Sequence, residues 1–332
     1  MIIKELTIPT KVRKLEALLR RLPIHHPKRP DIESEWGRYM AGYRGEQALE
    51  YHLSFLPEQD YLILHNLRLP YGPHFFQMDL LLMSRRLTII IEVKNYAGTL
   101  FFDTTFRQLI RTLNGKEEVF PDPILQVEHQ RHQLKTFIPP DIPIESLVVF
   151  SNPSAILKTD GNSPITAKKV IRPPALQPKI EEFEKRYPAE RITDKELRKL
   201  ARQLIKKDTP DDTNLLHQFQ LTKDELLTGV HCPVCQALPM KREYGTWVCP
   251  ACSTSARDAH LSALKDYTHL ISSDITNRQL RSFLHLPSTS SASKLLSSLN
   301  LPFSGSTKSR VYHLSKEQQK KAVFQKKTTF KL

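Results

Sequence analysis

The chain has 332 residues, and its 49 Lys+Arg against 35 Asp+Glu give a formal net charge of +14. A chain of that length buries a sizeable core and suggests about two domains; with 39% apolar and 25% charged residues it is not a wholly disordered chain. No run approaches the ~18 apolar residues that cross a bilayer, and Met1–Leu22 lacks a signal-peptide pattern, so the expected location is cytoplasmic.

The positive charge is unevenly spread. Residues 1–30 hold 8 Lys+Arg and 2 acids, residues 259–332 hold 12 and 3, and residues 31–258 hold 29 and 30. Two basic ends around a neutral centre suit a polyanion such as nucleic acid or an anionic membrane, although a basic tail is often simply solvated.

Along the chain, residues 1–33 form a basic N-terminal arm with a helix over Lys11–Leu22. Apolar spacing from Trp36 to Leu56 predicts a further helix, ended by Pro57. Strands are expected over Tyr61–Leu69, Phe75–Met83 and Leu87–Lys94, then a strand or hairpin over Gly98–Thr112 with a turn at Asn114-Gly115. A helix over Pro123–Phe137 and a buried strand over Leu147–Phe150 complete an α/β unit at 34–155. Residues 156–178 read as loop. They open a linker region, 156–229, that carries two charged helical segments broken near Tyr187-Pro188. Thr193–Lys207 has acids in its first turn and lysines in its last, as the helix dipole favours.

The most informative chemistry is Asp79 followed by Glu92-Val93-Lys94. Residues two apart share a strand face, so Glu92 and Lys94 project together. They follow the apolar run Thr88-Ile89-Ile90-Ile91, where an unpaired charge is costly. Asp79 and Glu92 on adjacent strands make a hard oxygen site suited to Mg²⁺ or Mn²⁺, and a nearby Lys can stabilise phosphoryl oxygens. The bland alternative is a salt bridge of Lys94 with Glu92 or Asp79.

The surrounding residues add Gly42-x-x-Gly45-Glu46, Gln77-x-Asp79, Ile91-Glu92-x-Lys94-Asn95 with Gly98, and Pro123-x-x-Gln126 followed by His132. In order and spacing these elements resemble the NERD (nuclease-related) domain over about residues 38–150. That family is similar to the PD-(D/E)xK restriction-endonuclease-like fold and is inferred to consist of metal-dependent nucleases. The resemblance implies that Asp79 and Glu92 bind a divalent metal, that Lys94 stabilises the hydroxide and the transition state, that Glu46 supports the metal or its water, and that Gln126 positions substrate or water on the metal. His129 and His132 share a helix face and read as surface or phosphate-contacting residues rather than zinc ligands.

All four cysteines fall in two near-identical knuckles, Cys232-Pro233-Val234-Cys235 and Cys249-Pro250-Ala251-Cys252. Four thiolates suit a closed structural Zn²⁺ site, and residues 230–256 resemble a zinc ribbon. Redox pairs or free thiols are the alternative.

Residues 259–332 read as helix, Pro287-Ser288 break, helix over Ser291–Leu299, and a basic strand over Lys308–Leu314. The order looks like a winged helix-turn-helix. In that arrangement Lys294 would face the major groove and Lys308 and Arg310 would meet phosphates. A small helical packing domain with solvated lysines fits the same pattern.

The expected fold class is α/β (α+β), a restriction-endonuclease-like mixed sheet flanked by helices, followed by a small zinc ribbon and the basic module. The expected function is a divalent-metal-dependent nuclease hydrolysing DNA phosphodiester bonds in DNA processing or repair. Its candidate residues are Glu46, Asp79, Glu92, Lys94 and Gln126, its cofactors Mg²⁺ or Mn²⁺ and structural Zn²⁺, and its partner nucleic acid, DNA first, with no membrane. A non-catalytic DNA-binding or regulatory protein built on the ribbon and the basic module is the alternative.

Overall fold

The computed structural model describes residues 1–160, 164–306 and 309–314. The chain divides into two compact units, residues 1–10 with 37–211, and residues 11–36 with 212–332. The elements of the first half are β1 (Ile2–Lys4), α1 (Thr10–Arg21), α2 (Arg29–Gln47), α3 (Glu50–Leu53), β2 (Leu62–Tyr71), β3 (His74–Met83), β4 (Thr88–Lys94), β5 (Thr99–Asp103), β6 (Gln108–Leu113), β7 (Lys116–Pro121), α4 (Pro123–Leu134) and β8 (Ile144–Phe150).

The segment 156–178, expected as loop, holds regular structure among its described residues. It contains β9 (Ile156–Thr159), α5 (Pro164–Lys169) and β10 (Val170–Ile171), and α6 (Leu176–Arg186) and α7 (Asp194–Lys207) follow. Both strands are short and lie at sheet edges, where too few residues alternate to give a sequence signal. β9 is held by pairing with β5, and β10 by pairing with β8.

The main sheet of the first unit has the order β1-β2-β3-β4-β8-β10. β2–β3–β4 is an antiparallel meander, while β1, β8 and β10 join in parallel. β4 is almost wholly apolar and β-branched before Glu92, as expected of a strand covered on both faces. Its Ile89 and Ile91 pack beneath α3 and α6. Ile90 points the other way, into a core closed by Leu134, Leu197, Leu200 and Leu204 of α4 and α7. A second sheet, β7-β6-β5-β9, packs Leu100, Phe102 and Leu109 against Ile124 and Val127 of α4. Its β6–β7 hairpin turns at Asn114 (φ +51°) and Gly115 (φ +76°), as Asn-Gly at a two-residue turn requires.

α4 begins at Pro123, after Asp122, whose carboxylate accepts the Ile124 N–H at 2.8 Å. This cap fixes where the helix starts, and therefore where Gln126 lies.

The second unit contains α8 (Leu215–Gln218), a small sheet of β11 (Lys241–Glu243), β12 (Thr246–Val248) and β13 (Ser255–Ala256), then α9 (His260–Leu270), β14 (Asp274–Thr276), α10 (Asn277–Leu284), α11 (Thr289–Ser298), β15 (Phe303–Ser304) and β16 (Val311–His313). α10 starts at a capping box, Thr276 with Gln279, and ends at His285 in the left-handed region. From α9 onward the order is helix, strand, helix, helix, hairpin, with the three strands in a β14-β16-β15 sheet.

One core serves ribbon and helices together: Cys232, Trp247 and Cys249 share it with Leu264, Leu280 and Leu296. α1 is fastened to the same unit by a charge cluster around the buried Arg21 and Asp266. Arg21 Nε lies 2.9 Å from Asp266 Oδ2, Arg20 lies 2.7 Å from Oδ1, and Arg21 also donates to the Gly229 carbonyl at 2.8 Å.

Candidate active site

β2 and β3 keep one register along their whole pairing, yet their side-chain alternation reverses midway. Leu62 and Leu64 share a core with Leu67 and Leu69, and Phe76 and Met78 share it with Leu81 and Met83. Strict alternation would put residues 64 and 67 on opposite faces. The reversal falls where the ladder skips from His65–Leu80 to Leu67–Met78. The skipped residues are Asn66 and Asp79, and Asn66 has φ +50°, a left-handed conformation that Asn tolerates better than most residues.

Pairing between β3 and β4 ends at Leu80–Ile91, so Asp79 sits at a fork. Its Oδ2 accepts the Val93 N–H at 2.8 Å, replacing the ladder bond lost there. Glu92 and Lys94 project together on the face covered by α4. Glu92 is only 4% exposed. Its Oε1 accepts from Lys94 Nζ at 2.7 Å and from Gln126 Nε2 at 2.7 Å, and its Oε2 accepts from Gln130 Nε2 at 2.8 Å. Lys94 also donates to Gln126 Oε1 at 2.9 Å. The Glu92–Lys94 ion pair therefore exists, but as part of a buried network with two amides of α4 spaced one helical turn apart.

Glu46 arrives on α2. A Cβ on Gly45 would stand 2.7 Å from Asn95 Cβ and 2.9 Å from Ser151 Oγ. Only glycine lets the helix come this close to the end of β4, whereas Gly42 faces open space. Asn95 Nδ2 ties the contact by donating to the Ala41 carbonyl at 2.8 Å. Glu46 Oε2 accepts from Asn66 Nδ2 at 2.6 Å, and Asn66 Oδ1 accepts from Gln77 Nε2 at 3.0 Å.

Negative charge crowds this end of the sheet. Burial, then the neighbouring Glu92, pushes Glu46 up to about 7 against the hydrogen bond from Asn66. Burial, then Glu92 and Glu46, holds Asp79 well above the usual carboxylate range. Burial lowers the Lys94 ammonium, but Glu92 and Asp79 outweigh it and leave the group above its ordinary value.

Residues 41–151 match NERD, the nuclease-related domain. No curated protein and no solved structure matches the chain. The NERD segment contains Glu46, Asp79, Glu92, Lys94 and Gln126. It also contains supporting residues to which the sequence reading gave no role. Gln130 clamps Glu92 and the Gln77 carbonyl (2.9 Å), and Asn66 bridges Glu46 to Gln77. The i, i+4 spacing of Gln126 and Gln130 was a usable signal; the Asn66 kink had none.

The four cysteines are free thiols whose sulfurs lie within 4.8 Å of one another. Cys232–Cys252 and Cys235–Cys249 sulfurs are 3.6 and 3.5 Å apart. These distances are too long for a disulfide and close to the roughly 3.8 Å edge of a tetrahedral Zn–S₄ site. Such a cluster could hold a zinc ion. Among the described residues it is the one gathering of His, Cys, Asp or Glu that is this tight. The carboxylates of the NERD segment are looser, because Glu92 is turned to the donors of β4 and α4.

Lys294 is exposed on α11, and Arg310 lies beside β16 with its guanidinium 4.2 Å over the Phe303 ring. Lys308 and the Lys316–Lys331 tail lie outside the described residues. His129 and His132 are both exposed on α4. No described helix is long and apolar enough to cross a membrane.

Proposed function

We propose that the protein is a divalent-metal-dependent nuclease that hydrolyses DNA phosphodiester bonds in DNA processing or repair. The observation that carries this reading is the convergence of Asp79, Glu92, Lys94 and Gln126 at the β3–β4 fork, with Glu46 brought in by Gly45. Asp79 and Glu92 are the proposed ligands of Mg²⁺ or Mn²⁺. The donor chemistry fits, since both ligands offer hard carboxylate oxygens of the kind that Mg²⁺ and Mn²⁺ prefer. When bound, the cation supplies Lewis acidity to the phosphoryl group and lowers the pKa of water.

The chain's own residues do the rest. Lys94 Nζ carries a fixed positive charge to the place where negative charge grows on the phosphoryl oxygens. Gln126 holds Lys94 and Glu92 in one geometry, accepting from the first and donating to the second. Glu46 lends a third carboxylate oriented by Asn66. Residues 34–155 are then the catalytic domain and residues 156–229 the helical linker region, of which 156–211 fall in the first unit and 212–229 in the second. The ribbon at 230–256 holds structural Zn²⁺, and the module at 259–332 grips DNA through Lys294, Lys308 and Arg310.

The test is cleavage of plasmid and single-stranded DNA with Mg²⁺ or Mn²⁺ by wild type, Asp79→Ala and Lys94→Ala. Each variant is expected to lose roughly 10²-fold or more in rate. Equal cleavage by all three overturns the assignment. A second reading, a non-catalytic DNA-binding or regulatory protein, is supported by the helix, strand, helix, helix, hairpin order of α9 to β16, which suits the winged helix expected there. Salt-sensitive DNA binding with no metal-dependent cleavage of any substrate would select it.

A further inference from the structure

We propose that the outward face of α7 is a second nucleic-acid surface, one that tracks a phosphate backbone toward the fork of the first unit. The proposal rests on the nuclease reading for its partner, and on the geometry of α7 for its place.

The buried side of α7 is Leu197, Leu200, Ala201 and Leu204. Opposite them, Lys195, Lys199, Arg202 and Lys206 are all exposed. Their i, i+4, i+7, i+11 spacing makes one stripe about 16 Å long. The stripe flanks a shallow depression of about 350 Å³ lined by these four residues and Gln203.

Its charges are unmatched. α7 has two acids, Asp194 and Glu196, both in the first turn. Asp194 pairs with Arg198 at 2.7 Å, and Glu196, beside Lys199, is engaged by the backbone and hydroxyl of Thr193 at 2.9 and 2.8 Å. None of the four stripe cations has an ion-pair partner within 4.0 Å among the described residues. Lys195–Lys199, Lys199–Arg202 and Arg202–Lys206 instead set like charges one turn apart, an arrangement that destabilises a helix standing alone. The neighbouring α6 shows the ordinary solution. Its Lys179 and Arg186 both meet Glu182, at 2.7 and 3.0 Å. A helix face that keeps repulsion in the free protein gains most from a polyanion, which removes it and releases counterions.

The direction of the stripe points the same way. Just before α7, Arg191 N–H donates to the Arg85 carbonyl at 2.8 Å, at the β3–β4 turn. Just after it, Thr209 N–H donates to the Arg68 carbonyl at 2.8 Å, and Asp208 accepts the Arg68 N–H at 3.0 Å. Arg68 stands two residues beyond Asn66, at the level of the fork. α7 therefore runs alongside the sheet from its far end to the end where the carboxylates gather, and Arg202 and Lys206 lie on the near part.

The experiment uses the full chain and measures DNA affinity across a salt series without added Mg²⁺ or Mn²⁺. Wild type is compared with the Lys195→Gln/Lys199→Gln/Arg202→Gln/Lys206→Gln variant and with Lys179→Gln on α6. The fourfold variant is expected to bind roughly tenfold or more weakly at low salt, with a log–log salt slope shallower by about 3. Lys179→Gln should leave both unchanged. Gln is a good helix former and the sites are exposed, so an unchanged melting temperature verifies the fold. If wild type binds and the fourfold variant keeps its slope, the stripe proposal fails, while the nuclease reading still stands or falls on the Asp79→Ala cleavage assay. Salt-sensitive binding to anionic lipid vesicles without DNA binding also overturns it.

Discussion

The chain contains two gatherings of potential metal ligands, and they are built on opposite principles. The four thiols around Cys232 and Cys249 are close enough to fill a tetrahedron by themselves, and two of them are buried in the core that holds the helices of their unit. The carboxylates at the β3–β4 fork are looser, and each leans on a neighbour: Asp79 on Val93, Glu92 on Gln126 and Gln130, Glu46 on Asn66. A closed set of soft ligands offers an ion no open position and gives its binding energy to folding. An open set of hard ligands, held by polar supports, keeps room for a substrate oxygen. On the proposed nuclease reading, compactness and reactivity are thus separated between the two sites.

The largest effect that separates them follows from metal removal. Structural zinc sites of this size contribute on the order of 10 kcal/mol to folding. Trp247 is buried in the core of the unit made of residues 11–36 and 212–332, and Trp36, the other tryptophan, falls at that unit's boundary within α2, so the emission of Trp247 reports on that unit. Chelation with dipicolinic acid, or Cys249→Ser, is expected to red-shift the emission and abolish the cooperative melting of that unit. Emission and melting that do not respond to loss of the ion would break the comparison, since the cysteine cluster would then be a passenger of its core.

A smaller effect is expected where the carboxylate site depends on close backbone approach. Gly45→Ala places a methyl group 2.7 Å from Asn95 Cβ and 2.9 Å from Ser151 Oγ. Overpacking of this kind costs up to about 3 kcal/mol. The displaced helix carries Glu46 with it, so cleavage should fall more than the loss of stability explains. Gly42→Ala meets nothing within 4 Å and serves as the control. Equal behaviour of the two variants in melting and cleavage would show that the approach of α2 does not position Glu46.

These two sites differed in how much of them the sequence disclosed. The cysteines announced themselves because ligand spacing in a knuckle is local. Glu92 and Lys94 were legible for a similar reason, since a strand period of two puts them on one face. The β6–β7 turn at Asn114-Gly115 was also a local signal, and it is present. What stayed hidden depends on distant pairing. β1 is three residues long and exists only through β2, and β9 and β10 are edge strands held by β5 and β8. The reversal of alternation at Asn66 and Asp79 has no composition cue, because either residue alone reads as an ordinary polar position in a strand. The Arg21–Asp266 clamp joins residues 245 apart. Its arginine looked like part of a basic arm, but buried against a carboxylate it is a structural charge.

The smallest effect sharpens the ribbon side of the comparison by asking whether its core depends on pH as well as on metal. Trp247 Nε1 donates to His260 Nδ1 at 3.2 Å, so the imidazole is an acceptor there, and the ring is 7% exposed. Burial, then the positive charge of Arg242, pushes His260 down to about 4, against the carboxylate of Asp258. The folded state therefore binds this proton less well than the unfolded chain, whose histidine titrates near 6.5. Its contribution is fully present above about pH 6.5 and is lost progressively as pH falls toward 4. Between pH 6.5 and pH 5 the loss amounts to about 2 kcal/mol. His260→Gln keeps an acceptor for Trp247 and removes the titration. Melting of the zinc-loaded protein followed by tryptophan emission should thus fall more steeply with acid in wild type than in His260→Gln. Parallel acid profiles would assign the lability to the thiolates alone and return the ribbon's pH response to its metal.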